Sequence, residues 1–214
     1  MRPQFTTVGP LATASASNIR TASSIAGAGA VVLNGSLVSG GVATLDTPRR
    51  VLFTFGSNET GKTFTLLGTG WSDQAIGEDV AGTTAGVVPT VLDYKTLTSV
   101  VANAASVGNV SIGTNGVAAS PWRQLDHYGS SSVSIQADVT GTVNYTLQQT
   151  LDDPNSSVSP VSYEDVVWLS TSDTAGVGAT TSIQSNYLFA PVWVRVLLNS
   201  GTGSVTATYL QSGR

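Results

Sequence analysis

The eight residues Gly56-Ser57-Asn58-Glu59-Thr60-Gly61-Lys62-Thr63 carry the letters of a phosphate-binding loop. Such a loop works through a helix that starts at its lysine. The helix N-terminus and the loop amides hold phosphates, the lysine reaches the outer phosphates, and the hydroxyl holds magnesium. The chemistry would be nucleotide hydrolysis. It requires a helix after Lys62, but the residues there are Thr63-Phe64-Thr65-Leu66-Leu67-Gly68-Thr69-Gly70. β-Branched threonines alternate with apolar residues and glycine stops the run, which spells a short strand. A nucleotide enzyme also places an acid at the end of a parallel strand to organise its metal. Val91-Leu92-Asp93 offers one, with no helical pattern between the two segments. The segment therefore reads as a polar hairpin loop, Gly56 to Gly61, joining strands at 51–55 and 63–67.

The remaining chemistry-bearing residues read as structural. His127 is the one histidine and follows Asp126. A hydrolase triad would need a nucleophile elbow, and Asp126-His127-Tyr128-Gly129-Ser130 reads as a polar turn instead. A glycosidase needs two carboxylates fixed across a cleft. Among three glutamates (Glu59, Glu78, Glu164) and ten aspartates, Asp152-Asp153 and Glu164-Asp165 are the best acidic clusters; both flank one loop and read as solvated turn acids. Asp152, Asp153, Asn155 and Asp165 have the oxygen ligands calcium takes, without a calcium-loop pattern. Trp71, Trp122, Trp168 and Trp193 could form a sugar-stacking platform; core or interface packing is the favoured reading. Trp193 lies between Val192 and Val194 in an alternating strand and faces away from the core set. No catalytic, cofactor-binding or metal-binding residue is assigned, and no cofactor is expected.

These residues must be positioned by strands. The 214 residues include 28 Thr, 27 Ser and 23 Gly, over a third of the chain, while charged residues make up only 10%. An ordinary soluble protein carries roughly 25% charge. Hydrophobic residues, at 41%, supply a normal core. Thr and Val favour strands, Ser and Gly favour turns, and strong helix formers are scarce. An all-β fold follows. The net charge of −4 and the thinly spread basic residues give no stripe for nucleic acid. The absence of cysteine excludes disulfides and thiolate metal sites. The N-terminal Met1-Arg2-Pro3-Gln4-Phe5 has no apolar segment of a signal peptide, and no run reaches transmembrane length. Synthesis in the cytosol is expected, with no membrane partner.

Residues 1–25 are Thr/Ser/Ala-rich and read as an extended arm. Strands are expected at 31–33, 37–38, 42–45, 51–55, 63–67, 75–80, 87–92, 97–101 and 109–112, with a hairpin turn at Asn34-Gly35. A break falls at Ser120-Pro121-Trp122. Residues 133–139 and 143–148 both alternate and read as an antiparallel hairpin about Gly141. A loop is expected at 152–163, a short strand at 166–169 and another loop at 170–185. The strand ending at Leu198 turns at 199–203 and returns as 204–210; Val192, Val194, Val196 and Leu198 share a core face with Val205, Ala207 and Tyr209. Turns every 8–12 residues or so fit antiparallel β-sandwiches, Ig-like or jelly-roll. Two modules, 26–120 and 121–214, follow the arm.

Three stretches resemble a known class. They are Asn109-Val110-Ser111-Ile112-Gly113-Thr114-Asn115-Gly116 with Ser120-Pro121-Trp122; 143–153, from Val143-Asn144-Tyr145 to Asp152-Asp153; and 194–205, from Val194-Arg195-Val196 to Ser204-Val205. They look like the small structural proteins encoded near the head and neck genes of tailed bacteriophages. The resemblance covers most of residues 30–214 through strand and turn phrases. It implies a non-enzymatic virion protein, made in the bacterial cytoplasm, of capsid-decoration or collar type. It implies assembly with copies of itself and with major capsid, portal or neck proteins. The alternative is a tail-associated module that binds a receptor or glycan through exposed tryptophans and loop acids.

Overall fold

The computed structural model describes residues 2–126, 132–187 and 189–211. Thr/Val-rich runs broken by glycine turns form strands as their propensities favour. In chain order these are β1 Gln4–Val8, β2 Ser15–Ser23, β3 Gly29–Ala30, β4 Val38–Ser39, β5 Val42–Phe55, β6 Thr63–Thr69, β7 Ala75–Ala81 and β8 Gly86–Ala102. They continue as β9 Val110–Ala119, β10 Arg123–Gln124, β11 Val133–Thr140, β12 Val143–Thr150, β13 Leu169–Ser170, β14 Ile183–Tyr187, β15 Trp193–Gly201 and β16 Ser204–Gln211. The chain is all-β, and its large sheets are antiparallel. It divides into two compact units: residues 1–11 with 117–214, and residues 12–116. The chain passes between them within β9. The stretch expected as an arm supplies β1 to the first unit and β2 to the second.

The first unit is a sandwich. One sheet has the order β1-β16-β11-β14. The other runs β13-β12-β15, then the last residues of β9, with β10 pairing β15 beyond them. Taking β9's end and β10 together as one strand gives eight. The first, eighth, third and sixth form one sheet; the second, seventh, fourth and fifth form the other. That is jelly-roll order, with residues 12–116 inserted after its first strand. Val133, Ile135, Ala137, Val205, Ala207 and Tyr209 face Val143, Tyr145, Leu147, Val194, Val196 and Leu198 across a buried core. The valine, leucine and isoleucine side chains among them each contribute about 1.5–3 kcal/mol by leaving water.

Two expected hairpins are arches instead. β11 pairs with β14 and β16, and β12 pairs with β13 and β15, so the turn at Gly141 crosses from one sheet to the other. The turn between β15 and β16 crosses in the same way. The inward faces stay as the alternation requires, because both strands of an arch point into the same core. The arches stack closely. Thr202 and Gly203 both donate backbone N–H bonds of 2.9 Å to the Thr142 carbonyl. A Cβ at residue 203 would stand 2.1 Å from the Thr140 carbonyl oxygen, so only glycine fits.

The second unit is an antiparallel sheet in which β8 lies between β5 and β6, with β7 outside β6 and β9 outside β5. The register pairs Phe64 of β6 with Ala102 at one end of β8, and Phe53 of β5 with Val88 near the other end. Yet the Phe64 ring on β6 lies 5.5 Å from Phe53 and 5.3 Å from Phe55 on β5. The sheet therefore folds over on itself around these rings. The expected strands at 87–92 and 97–101 are one long strand, β8, as 42–45 and 51–55 are one strand, β5. Residues 31–33 are not a strand, and Asn34-Gly35 makes no hairpin. The N–H groups of Asn34 and Gly35 instead donate to the Ile19 carbonyl of β2. A Cβ on Gly35 would come within 2.2 Å of the Asn18 backbone, so this glycine serves close approach. The short hairpin lies one step later, between β4 and β5, through Gly40 and Gly41 at φ of 59° and 82°.

Candidate functional site

The phosphate-loop letters form a latch. Residues 56–62 connect β5 to β6 and no helix follows Lys62. They do not form a hairpin, because β8 separates the two strands. Glu59 at the centre is fully buried, with a relative exposure of 0%. Its carboxylate accepts the Lys62 ammonium at 2.5 Å, the Gly108 N–H at 2.9 Å and the Val107 N–H at 2.9 and 3.0 Å. Its own N–H donates to the Thr83 carbonyl at 2.8 Å. Burial alone would raise the Glu59 pKa. The Lys62 ammonium and the Gly108 and Val107 N–H groups outweigh it, and the net shift is downward. Lysine and loop amides thus hold a carboxylate of the protein itself, where a nucleotide loop would hold phosphate. Asp93 pairs with Arg50 at 3.0 Å.

Three of the four tryptophans converge in the first unit. Trp122 packs edge-on against Trp168 at 4.8 Å and Trp193 at 6.1 Å, and tilted against Tyr163 at 5.5 Å. The Arg195 guanidinium lies 4.3 Å over the Trp168 ring and donates to Gln148 at 2.8 Å. Trp193 and Arg195 point away from the core by strand alternation, as read for Trp193 from sequence. They are nevertheless buried, at 6% exposure each, because residues 151–168 lie over them. Asp153 accepts the Trp193 indole N–H at 3.1 Å, and Asp152 accepts the Val167 N–H at 2.7 Å. The tryptophans pin a loop and present no open stacking platform; Trp71, in the other unit, is half-buried.

Of the residues considered for calcium, Asp152 and Asp153 make the bonds given above, and Asp153 also accepts the Asn155 N–H at 3.0 Å. Asn155 accepts the Tyr163 hydroxyl at 3.2 Å. Among the described residues no three acidic or histidine side chains gather as a metal site. Asp126 is tied to Gln211 through its backbone, its N–H donating at 2.9 Å and its carbonyl accepting at 2.6 Å. His127 lies outside the described residues.

Sequence reasoning missed a third feature, the outer face of the sheet β1-β16-β11-β14. Thr206, Thr208 and Leu210 point outward beside Ser134, Gln136 and Asp138. The signal was present in both alternating strands, but the assignment of β11 to β12 as its partner concealed which outer faces join. A pocket of about 460 Å³ opens on this face. Comparison of the chain with protein-family models, curated proteins and solved structures finds no match.

Proposed function

We propose that this chain is a non-enzymatic structural protein of a tailed-bacteriophage virion. It assembles as an oligomer on the capsid or at the head–tail neck, as a decoration or collar component beside capsid, portal or neck proteins. One observation carries the reading: side chains with the letters of chemistry are engaged in holding chain segments together. Lys62 and Glu59 fasten their loop to residues 107–108. Asp153 and Arg195 fasten residues 151–168 to the sandwich, and Asp152 closes that loop on itself at Val167. A particle component needs such rigidity, and symmetric copies multiply modest contacts. Phrases resembling phage head and neck proteins add to the reading. Mass spectrometry of purified particles from the phage encoding the chain tests it. The expected result is the protein at a fixed copy number per particle; its recovery only in the soluble lysate would overturn the reading.

A further inference from the structure

We infer that the outer face of the sheet β1-β16-β11-β14 binds a neutral carbohydrate. The two outer faces of the sandwich differ. Residues 151–168 cover the other face around Trp193 and Arg195. On this face Ser134, Gln136, Gln184 and Leu210 are exposed. The register sets its outward side chains in rows: Phe5, Thr208, Gln136 and Gln184 in one, and Leu210, Ser134 and Asn186 in the next. Phe5 is 64% exposed and Leu210 43%. The pocket of about 460 Å³ is lined by Pro3, Leu210, Ser134, Gln136, Gln184 and Thr208 among others, and by no charged side chain. That volume falls within the range of small-ligand sites, ~300–1,000 Å³.

The lining chemistry selects the ligand. Amides and hydroxyls supply donors and acceptors without charge, as a polyol requires. Strands about 4.8 Å apart space these groups by roughly the width of a sugar ring. Leu210 and Pro3 in the lining, and Phe5 paired with Thr208 on the adjoining strand, offer apolar surface for the C–H face of a ring. Asp138, one row away, accepts the Gln136 amide at 2.9 and 3.1 Å and fixes its orientation. A nucleic acid or an anionic membrane would require basic residues that the pocket lacks. Protein interfaces favour aromatic residues, Met and Arg in their cores and are depleted in Ser.

The test applies the full-length protein to an array of neutral glucan, mannan and galactan oligosaccharides, followed by calorimetry with the best binder. Binding is expected, weakened at least about tenfold in Gln184→Ala and in Phe5→Ala, with circular dichroism and unfolding midpoint unchanged. Failure to bind any of these sugars would overturn the inference, as would binding by both variants as tight as the parent's. Loss confined to Trp168→Ala would move the sugar to the aromatic cluster. A dimer that becomes monomeric in Gln184→Ala without sugar would assign the face to a second copy. Each outcome is independent of where the protein sits on a particle.

Discussion

Replacing Glu59 by Gln keeps the shape of the buried side chain and removes the charge that Lys62 and two backbone amides satisfy. Hydrogen bonds to charged groups contribute about 1.5–3 kcal/mol each. Glu59→Gln should therefore destabilise the protein by about 2 kcal/mol. That lowers the thermal midpoint by roughly 4–8 °C for a chain of this size; an unchanged midpoint would contradict the latch. The pH dependence carries the same signature. The folded pKa lies below the ordinary 4.5, so this stability is present above pH 4.5 and lost as the pH falls through the folded value. The variant should lose less stability on acidification than the parent. At the alkaline end, burial and the Asp138 charge push Tyr145 up to about 12, and burial pushes Tyr187 and Tyr209 further. Unfolded tyrosine ionises near 10. The stability these groups contribute is complete below that pH and is lost as the pH rises through their raised folded values. Their phenolate absorbance should rise in one step with loss of β-structure; smooth titration in the folded protein would contradict their burial. Glu59 was not legible in the sequence. An acid in a glycine-bounded loop reads as solvated, and the amides that hold it lie 48 and 49 residues away.

The arches and the pinned loop belong to the element scale. Gly203→Ala forces a Cβ against the Thr140 carbonyl oxygen, which backbone cannot yield cheaply. A loss of at least about 2 kcal/mol is expected. Gly116→Ala meets nothing within 4 Å and should stay within about 0.5 kcal/mol. Chemical denaturation of the pair measures the contrast; equal costs would show that the arches are not close-packed. Trp122→Ala removes the side chain that Trp168, Trp193 and Tyr163 share. It should cost about 3–5 kcal/mol and expose residues 151–168 to limited proteolysis under native conditions. Protection equal to the parent's would contradict the pin. The alternation of 133–139, 143–148 and 204–210 made the inward faces legible. It could not give the partners, because a turn into the same sheet and an arch into the opposite one preserve the same inward pattern. β14 was missed because Ile183-Gln184-Ser185-Asn186-Tyr187 is short and sits in Ser/Thr-rich surroundings. β2 was missed because Ile19 is its sole fully buried apolar residue, with Arg20 buried beside it. Trp193's outward direction was legible, but its cover was not, because residues 151–168 have no periodicity.

At the scale of the whole molecule, the chain is a jelly roll interrupted after its first strand by a second β unit with its own phenylalanine cluster. The insertion explains why a division into consecutive modules could not be read along the sequence: the first and last strands of the chain pair with each other. The proposal that this molecule is a repeated part of a phage particle concerns assembly, so it is tested on the particle. Cryo-electron microscopy of purified virions, with and without the gene, measures it most directly. Symmetric copies of density that fit the jelly roll are expected on the capsid or at the neck, and they vanish in the deletion. Identical particles from both strains, with the protein left in the lysate, would contradict it.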